Sequence, residues 1–379
     1  MSFAALAACE PVSLSGPSLS GNAGQQIDPS APVPVALLVP MQSGQSSDTL
    51  LAQDFEKAAR LAIGDLSNVK IDLKVYNTAG TEAQAASAAT QAANDGAKII
   101  IGPLFANAAN AAGVAVASRN INVLAFSNNA SIAGGNVFIL GATFQNTANR
   151  LSQFAKRQGR NRVLVVHADD VAGQVGRDAI VRAADRSGLQ VAGIQSYPLS
   201  QQGIVGAAQG IAATAQSTGA DTTFMTANPA SDLPLLSSAL GDNGINGAST
   251  MLLGLSRWSA QPQVPALPAL QGGYFTLADR ALETNFQKRY SAAYGANPHP
   301  LAGLAYDAVA AIGALAGTGS PDALTAGSLT RNSGFVGTQG IFRLRADGTN
   351  ERGLAVAQIR DQQVVVVEQA PKNFSGAGF

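Results

Sequence analysis

Hydrophobic positions begin to recur regularly at residue 33, after a start that offers almost nothing to bury. Residues 35–39 (VALLV) form a continuous apolar run, and 40–48 are polar and loop-like. Apolar residues then return at helical spacing over 50–66. The alternation continues as a strand at 71–76, a helix at 82–94, a strand at 98–101, a helix at 106–118 and a strand at 121–126. It restarts with strands at 162–166, 189–197, 221–225 and 250–253, separated by helices at 173–187, 203–217 and 232–240. Strands apolar on both faces, alternating with helices, predict parallel sheets covered on both sides. The chain therefore reads as α/β, with two Rossmann-like lobes in series. After a Pro-rich passage at 261–270 come a short strand at 274–275 and helices at 281–294 and 301–316. The tail has the period of antiparallel strands, at 341–345, 354–359 and 364–368, with Asp347 and Gly348 at a turn.

Open α/β sheets bind ligands beyond the carboxyl ends of their strands. In the first lobe those ends hold Gln42 and Ser43 (PMQSG), Asn77, then Pro103, Leu104, Phe105 and Asn107 (GPLFAN), and Ser127 and Asn128. In the second they hold Asp169 and Asp170 (HADD), Asn228, and the pair Arg257 and Trp258. Arg offers a planar fork to a carboxylate and Trp a stacking face; a surface Arg packed on a half-buried Trp explains the pair equally well. These residues form the expected ligand-binding cleft.

Composition narrows the chemistry. Lys+Arg and Asp+Glu both number 24 and form no basic block, which argues against nucleic acid as a partner. No apolar run approaches the roughly 18 residues of a membrane-spanning helix. One cysteine and two distant histidines, His167 and His299, supply neither a disulfide nor a metal site. The nucleotide loops G-x-x-x-x-G-K-[ST] and G-x-G-x-x-G are absent, as is the G-x-S-x-G nucleophile elbow. Ser67 to Lys70 matches S-x-x-K without its partner motifs, and the glycines of Gly173-Gln-Val-Gly176 suit helix packing. His167 beside Asp169 and Asp170 reads as a polar loop closing a strand. No enzyme, cofactor or metal is expected.

The single cysteine, Cys9, ends Leu6-Ala-Ala-Cys9 after an apolar, small-residue start with no Lys or Arg before Lys57. Residues 1–9 read as the tail of a secretory signal, and Leu-Ala-Ala-Cys resembles the bacterial lipobox, whose Cys carries the lipid. Residues 10–32, rich in Ser, Gly, Pro, Asn and Gln, read as a flexible linker spanning roughly 25–30 Å. The expected product is a periplasmic domain tethered to a membrane, with Glu10 after the Cys pointing to the outer membrane.

Several segments together resemble the type I periplasmic binding proteins, the leucine/isoleucine/valine-binding family. They are VALLVPMQSG (35–44), NTAG (77–80), IIGPLF (100–105), DDVAGQ (169–174), residues 290–306 and GIFRLRADG (340–348). The resemblance covers roughly residues 33–368 and rests on their order and spacing. It implies two lobes, residues 33–141 with 272–333 and 142–271 with 334–379, joined by three crossovers and a hinge that closes on a ligand. Within the superfamily, LLVPMQSGQ, KVYNTAG and GPLF look closest to the penicillin-binding-protein activators. Those are lipoproteins that stimulate a bifunctional peptidoglycan synthase. The alternative is the substrate-binding component of an ABC importer for branched-chain or other amino acids. Three departures bear on the ligand. Phe105, Ala106 and Asn107 stand where the amino-acid binders place hydroxyls, Ala172 replaces the tyrosine of D-D-x-Y-G, and residues 226–229 hold no acid. The resemblance thus implies a binding fold without implying the amino-acid grip.

Overall fold

The computed structural model of the protein describes residues 24–375. The chain first lays down β1 (Val33–Val39), α1 (Ser46–Gly64), β2 (Ile71–Asn77), α2 (Glu82–Asn94), β3 (Ile99–Ile101), α3 (Ala106–Val116), β4 (Asn122–Ala125) and β5 (Val137–Ile139). These strands form one parallel sheet in the order β2-β1-β3-β4-β5. Successive β1 side chains enter different cores, because a strand presents its residues alternately to its two faces. Val33, Val35, Leu37 and Val39 join one core, while Ala36 and Leu38 join the other with the alanines of α2 and α3. Those small side chains let the two helices lie close together on the sheet.

The second lobe repeats the plan with α4 (Phe144–Arg157), β6 (Arg162–Ala168), α5 (Val171–Ser187), β7 (Gln190–Tyr197), α6 (Gln201–Thr218), β8 (Thr222–Met225), α7 (Leu233–Asp242), β9 (Met251–Gly254) and β10 (Tyr274–Leu277). The chain returns to the first lobe through α8 (Arg280–Tyr294), α9 (Gly303–Ala316) and α10 (Ala326–Leu329). A small antiparallel sheet of β11 (Phe335–Gly337), β12 (Gly340–Leu344) and β13 (Asn350–Arg352) follows. Finally β14 (Ala355–Arg360) and β15 (Gln363–Glu368) add antiparallel to the second sheet, whose order is β15-β14-β10-β9-β8-β6-β7. The architecture is the two-lobed α/β fold expected from the sequence.

Three expectations change. Strand pairing assigns β10 to the second sheet, so the return to the first lobe starts after Leu277 instead of at residue 272. Phe335, Phe342 and Leu344 pack into the first lobe's core, so residues 334–352 stay with that lobe. The linker expected over 10–32 is docked in its described part, residues 24–32. Ile27 is buried in the first core and its N–H donates to Pro321 O at 2.9 Å, while Gln26 bonds Asp322 at 2.9 Å. A single well-placed apolar side chain, easily overlooked in a polar run, anchors the segment. Cys9 and the rest of the expected signal and linker lie outside the described residues.

The chain passes between lobes after β5, after β10 and after β13, and at the first and third of these connections carbonyls at the strand ends and just beyond them, at Ile139, Leu140, Gly141, Asn350 and Leu354, accept from side chains. Buried backbone groups of that kind need partners, and side chains supply them. Asn350 Nδ2 donates to Ile139 O at 2.8 Å and Gly141 O at 2.9 Å, and the Arg352 guanidinium donates to Leu140 O. In return Asn146 on α4 donates to Asn350 O at 2.9 Å, and Arg150 Nε to Leu354 O at 2.7 Å. Both guanidiniums are buried and each is balanced within one lobe. Arg352 faces Asp307 of α9 at 3.7 Å, and Arg150 bonds Glu368 of β15 at 2.9 Å. Burial pushes the Asp307 carboxyl up and the Arg352 guanidinium down, and their mutual attraction opposes both shifts.

Replacing Arg352 by Met leaves Asp307 as an uncompensated buried charge, and urea denaturation is expected to show a loss of about 3–5 kcal/mol. Adding Asp307→Leu should recover only the part due to the stranded charge, since Leu140 O and Thr338 N–H then lack their partners; an unchanged midpoint in the single variant would contradict this anchoring. Burial also works against the Glu368 carboxylate, but hydrogen bonds from Arg150 and Arg157 outweigh it and hold the carboxyl below its usual range. A carboxyl whose pKa falls on folding adds stability above its unfolded value, here about 4.5. That stability is lost as pH drops through the folded value. Glu368→Gln is expected to flatten the stability curve below about pH 4.5, and superimposable acid limbs would refute the assignment.

Candidate functional site

In the first sheet β1 has β2 on one side and β3 on the other, so the loops leaving β1 and β3 diverge and open a crevice at their carboxyl ends. Gly102, just past β3, adopts φ +81°, and a Cβ there would sit 2.3 Å from Leu38 O. Only glycine lets the backbone approach so closely. Pro103 O then accepts Phe126 N–H at 2.9 Å, tying this loop to the end of β4. Phe105 follows as the N-cap of α3. Its backbone is extended and it makes no side-chain cap, so the first-turn N–H groups have no side-chain acceptor there. The Phe105 ring, 38% exposed, rests over Gly80, where a Cβ would come within 3.2 Å of the ring and 3.3 Å of Ser43 Cβ. Ser43, Gly80 and Phe105 thereby join the ends of β1, β2 and β3, which accounts for the NTAG segment.

Beside this turn lies a cavity of about 480 Å³, within the size range of small-ligand sites. Its apolar wall is Leu104, Phe105, Phe126, Leu301 and Leu304, and its polar groups are Ser127, Asn128, Asn129 and Gln339. Gly141 and Ala142 of the first crossover also line it, so the cavity adjoins the connection between the lobes. No lining residue carries a charge. Ser127 is buried and accepts Asn129 N–H at 3.1 Å, which fixes the loop after β4. A second cavity of about 420 Å³ lies between α7 and residues 267–269, on the flank of the second lobe and away from the strand ends.

Of the residues expected in the cleft, Leu104, Phe105, Ser127 and Asn128 line this cavity. Pro103 is buried in the turn behind it, and Asn107 is exposed on α3. Gln42 and Asn77 bond each other at 3.3 Å, and Ser43 bonds Asp48 at 2.7 Å, so they brace the neighbouring loops. The second-lobe residues do not line it. Asp170 caps α5, accepting Gly173 N–H at 2.6 Å, while Asp169 stays exposed. A Cβ at Gly173 or Gly176 would strike Ala168 O or the Leu255 and Thr226 side chains, so both glycines serve close packing of α5. His167 is buried, its Nδ1 2.8 Å from Ala168 O, and it engages neither aspartate. Asn228 bonds within its own turn, to Ala230 N–H at 2.9 Å and through its N–H to Asp232.

The Arg257–Trp258 pair divides. Trp258 is fully buried in the second core, 5.9 Å from the Phe275 ring, and fills space left by Gly254 and Gly273. It offers no stacking face, because the chain turns its indole inward. Arg257 stays on the surface, 3.7 Å from Glu283 of α8. The sequence reading missed Phe126, Gly141, Ala142, Leu301, Leu304 and Gln339. Three of these sit on segments that return from far along the chain, where no strand-end rule points to them.

Trp258→Ala is expected to cost about 3–5 kcal/mol in urea denaturation, as for other buried aromatics. Arg257→Ala, breaking an exposed pair, should cost under about 1 kcal/mol. The reverse ranking would return Trp258 to the cleft.

Residues 32–363 match the family model described as periplasmic binding protein. No curated protein sequence matches the chain. Among solved structures, a Rhodospirillum rubrum protein provisionally described as a branched-chain amino acid ABC transporter aligns with TM-score 0.74 and 17% identity, covering 89% of this chain and 100% of that one. A leucine-binding protein of Thermotoga maritima aligns with TM-score 0.56 and 18% identity, covering 89% and 98%. A solute-binding protein of an ABC transporter from Rhodopseudomonas palustris, in complex with 3,4-dihydroxybenzoic acid, gives 0.56 and 16%, covering 89% and 96%. At these identities the likeness is one of fold, and neighbours of one fold hold different ligands. On the match that spans nearly all its described residues, this chain belongs to the periplasmic binding protein family.

Proposed function

We propose that the protein is the ligand-capturing component of an ABC importer, acting on the periplasmic side and closing its two lobes on a small molecule. The observation that carries this is the neutral, partly apolar cavity at the switch point of the first sheet, set against the crossovers. The neighbours' descriptions, as a branched-chain amino acid ABC transporter, a leucine-binding protein and a solute-binding protein of an ABC transporter, support it. None of them is described as an activator of peptidoglycan synthesis, so the importer reading takes the place of that expectation. The Leu6-Ala-Ala-Cys9 segment supports a lipid anchor as part of the proposal.

A thermal-shift panel of amino acids and organic acids tests it. A true ligand at roughly 100-fold its Kd stabilises by about 2.7 kcal/mol. Ala142→Trp, which fills the cavity from an exposed position, should abolish that shift without lowering the ligand-free melting point. Uptake of the same compound should fall in cells lacking the protein. Stabilisation that persists in the Trp variant would place the ligand elsewhere. Enrichment of a bifunctional peptidoglycan synthase with the tethered protein, over a control lipoprotein, would favour the activator role.

A further inference from the structure

We infer that the ligand is an organic acid with an apolar body and no ammonium group, rather than a zwitterionic α-amino acid; this rests on the importer reading of the same cleft. Phe105, Phe126, Leu301 and Leu304 give the cavity apolar surface that suits an aliphatic or aromatic body. Its polar lining, the hydroxyl of Ser127 and the amides of Asn128, Asn129 and Gln339, is neutral. Amide and hydroxyl hydrogens, together with main-chain N–H groups, can satisfy a carboxylate through hydrogen bonds alone.

An ammonium has the opposite requirement, since it carries donors only and needs acceptors, preferably charged ones, once water is excluded. The carboxylates at the second lobe's strand ends are largely engaged. Asp170 caps α5 at 2.6 Å, and Asp232 accepts from Tyr197, from Ser231 Oγ at 2.7 Å and from Asn228 N–H at 3.0 Å. Engaging Asp232 with an ammonium would break up a buried network. Asp169 is exposed and makes no side-chain bond among the described residues, so the experiment includes it.

Isothermal titration calorimetry on the whole protein compares two matched pairs, leucine with 4-methylpentanoate and phenylalanine with 3-phenylpropanoate. Each pair differs only by the α-ammonium. The deaminated member of at least one pair is expected to bind about tenfold or more tightly than its amino acid. Asp169→Asn should leave that affinity within about twofold, because such a ligand carries no ammonium for this carboxylate to hold. Tighter binding of the amino acid, lost in Asp169→Asn, would overturn the inference while leaving the importer reading intact. Silence from all four compounds, with an intact melting transition, would overturn the inference. Silence across the wider thermal-shift panel as well would take the importer reading with it.

Discussion

The Arg352 guanidinium holding the Leu140 carbonyl is the contact on which the relation between the lobes depends. Two sheets built in series have no shared hydrogen-bond ladder, so their connections must find partners elsewhere. Asn350 and Arg352 grip the first crossover, while Asn146 and Arg150 of α4 grip the third. Each arginine is neutralised inside a single lobe, by Asp307 or by Glu368. The crossovers can thereby be held without joining the two cores to each other, which is the mechanical condition for lobes that close on a ligand.

The cavity inherits its position from this arrangement. Gly141 and Ala142 belong to the gripped crossover and also line the cavity, so the cavity borders the connection between the lobes. Its chemistry comes from local backbone demands. Gly102 permits the turn, Gly80 makes room for the Phe105 ring, and Phe105 presents an apolar face at the start of α3 without capping it.

The strands and helices were legible wherever apolar residues ran at one period, as in β1, α2 and β6. The three residues of β5 are too few to show a period, and α4 went unread although Thr143 and Asn146 form a capping box at its start. The lobe boundaries were less legible. A strand as short as β10 states its period but not its partners, and only pairing with β9 and β14 assigns it to the second sheet. Trp258 shows the same limit for a single side chain. Its place at a strand end suggested the cleft, while the two glycines that receive it lie on either side in sequence and in a different segment.

By itself the sequence determined the α/β class, the two-lobed plan and the strand-end loops from which a binding site would be drawn. Those are consequences of residue period and local backbone sterics, which act over a few neighbours. Tertiary structure alone decided which strand-end residues face the cavity, that Leu301 and Gln339 join them, that Ile27 docks a polar segment, and that buried arginines hold the crossovers. Each of those depends on residues tens to hundreds of positions apart reaching contact distance, and no local pattern encodes such a meeting.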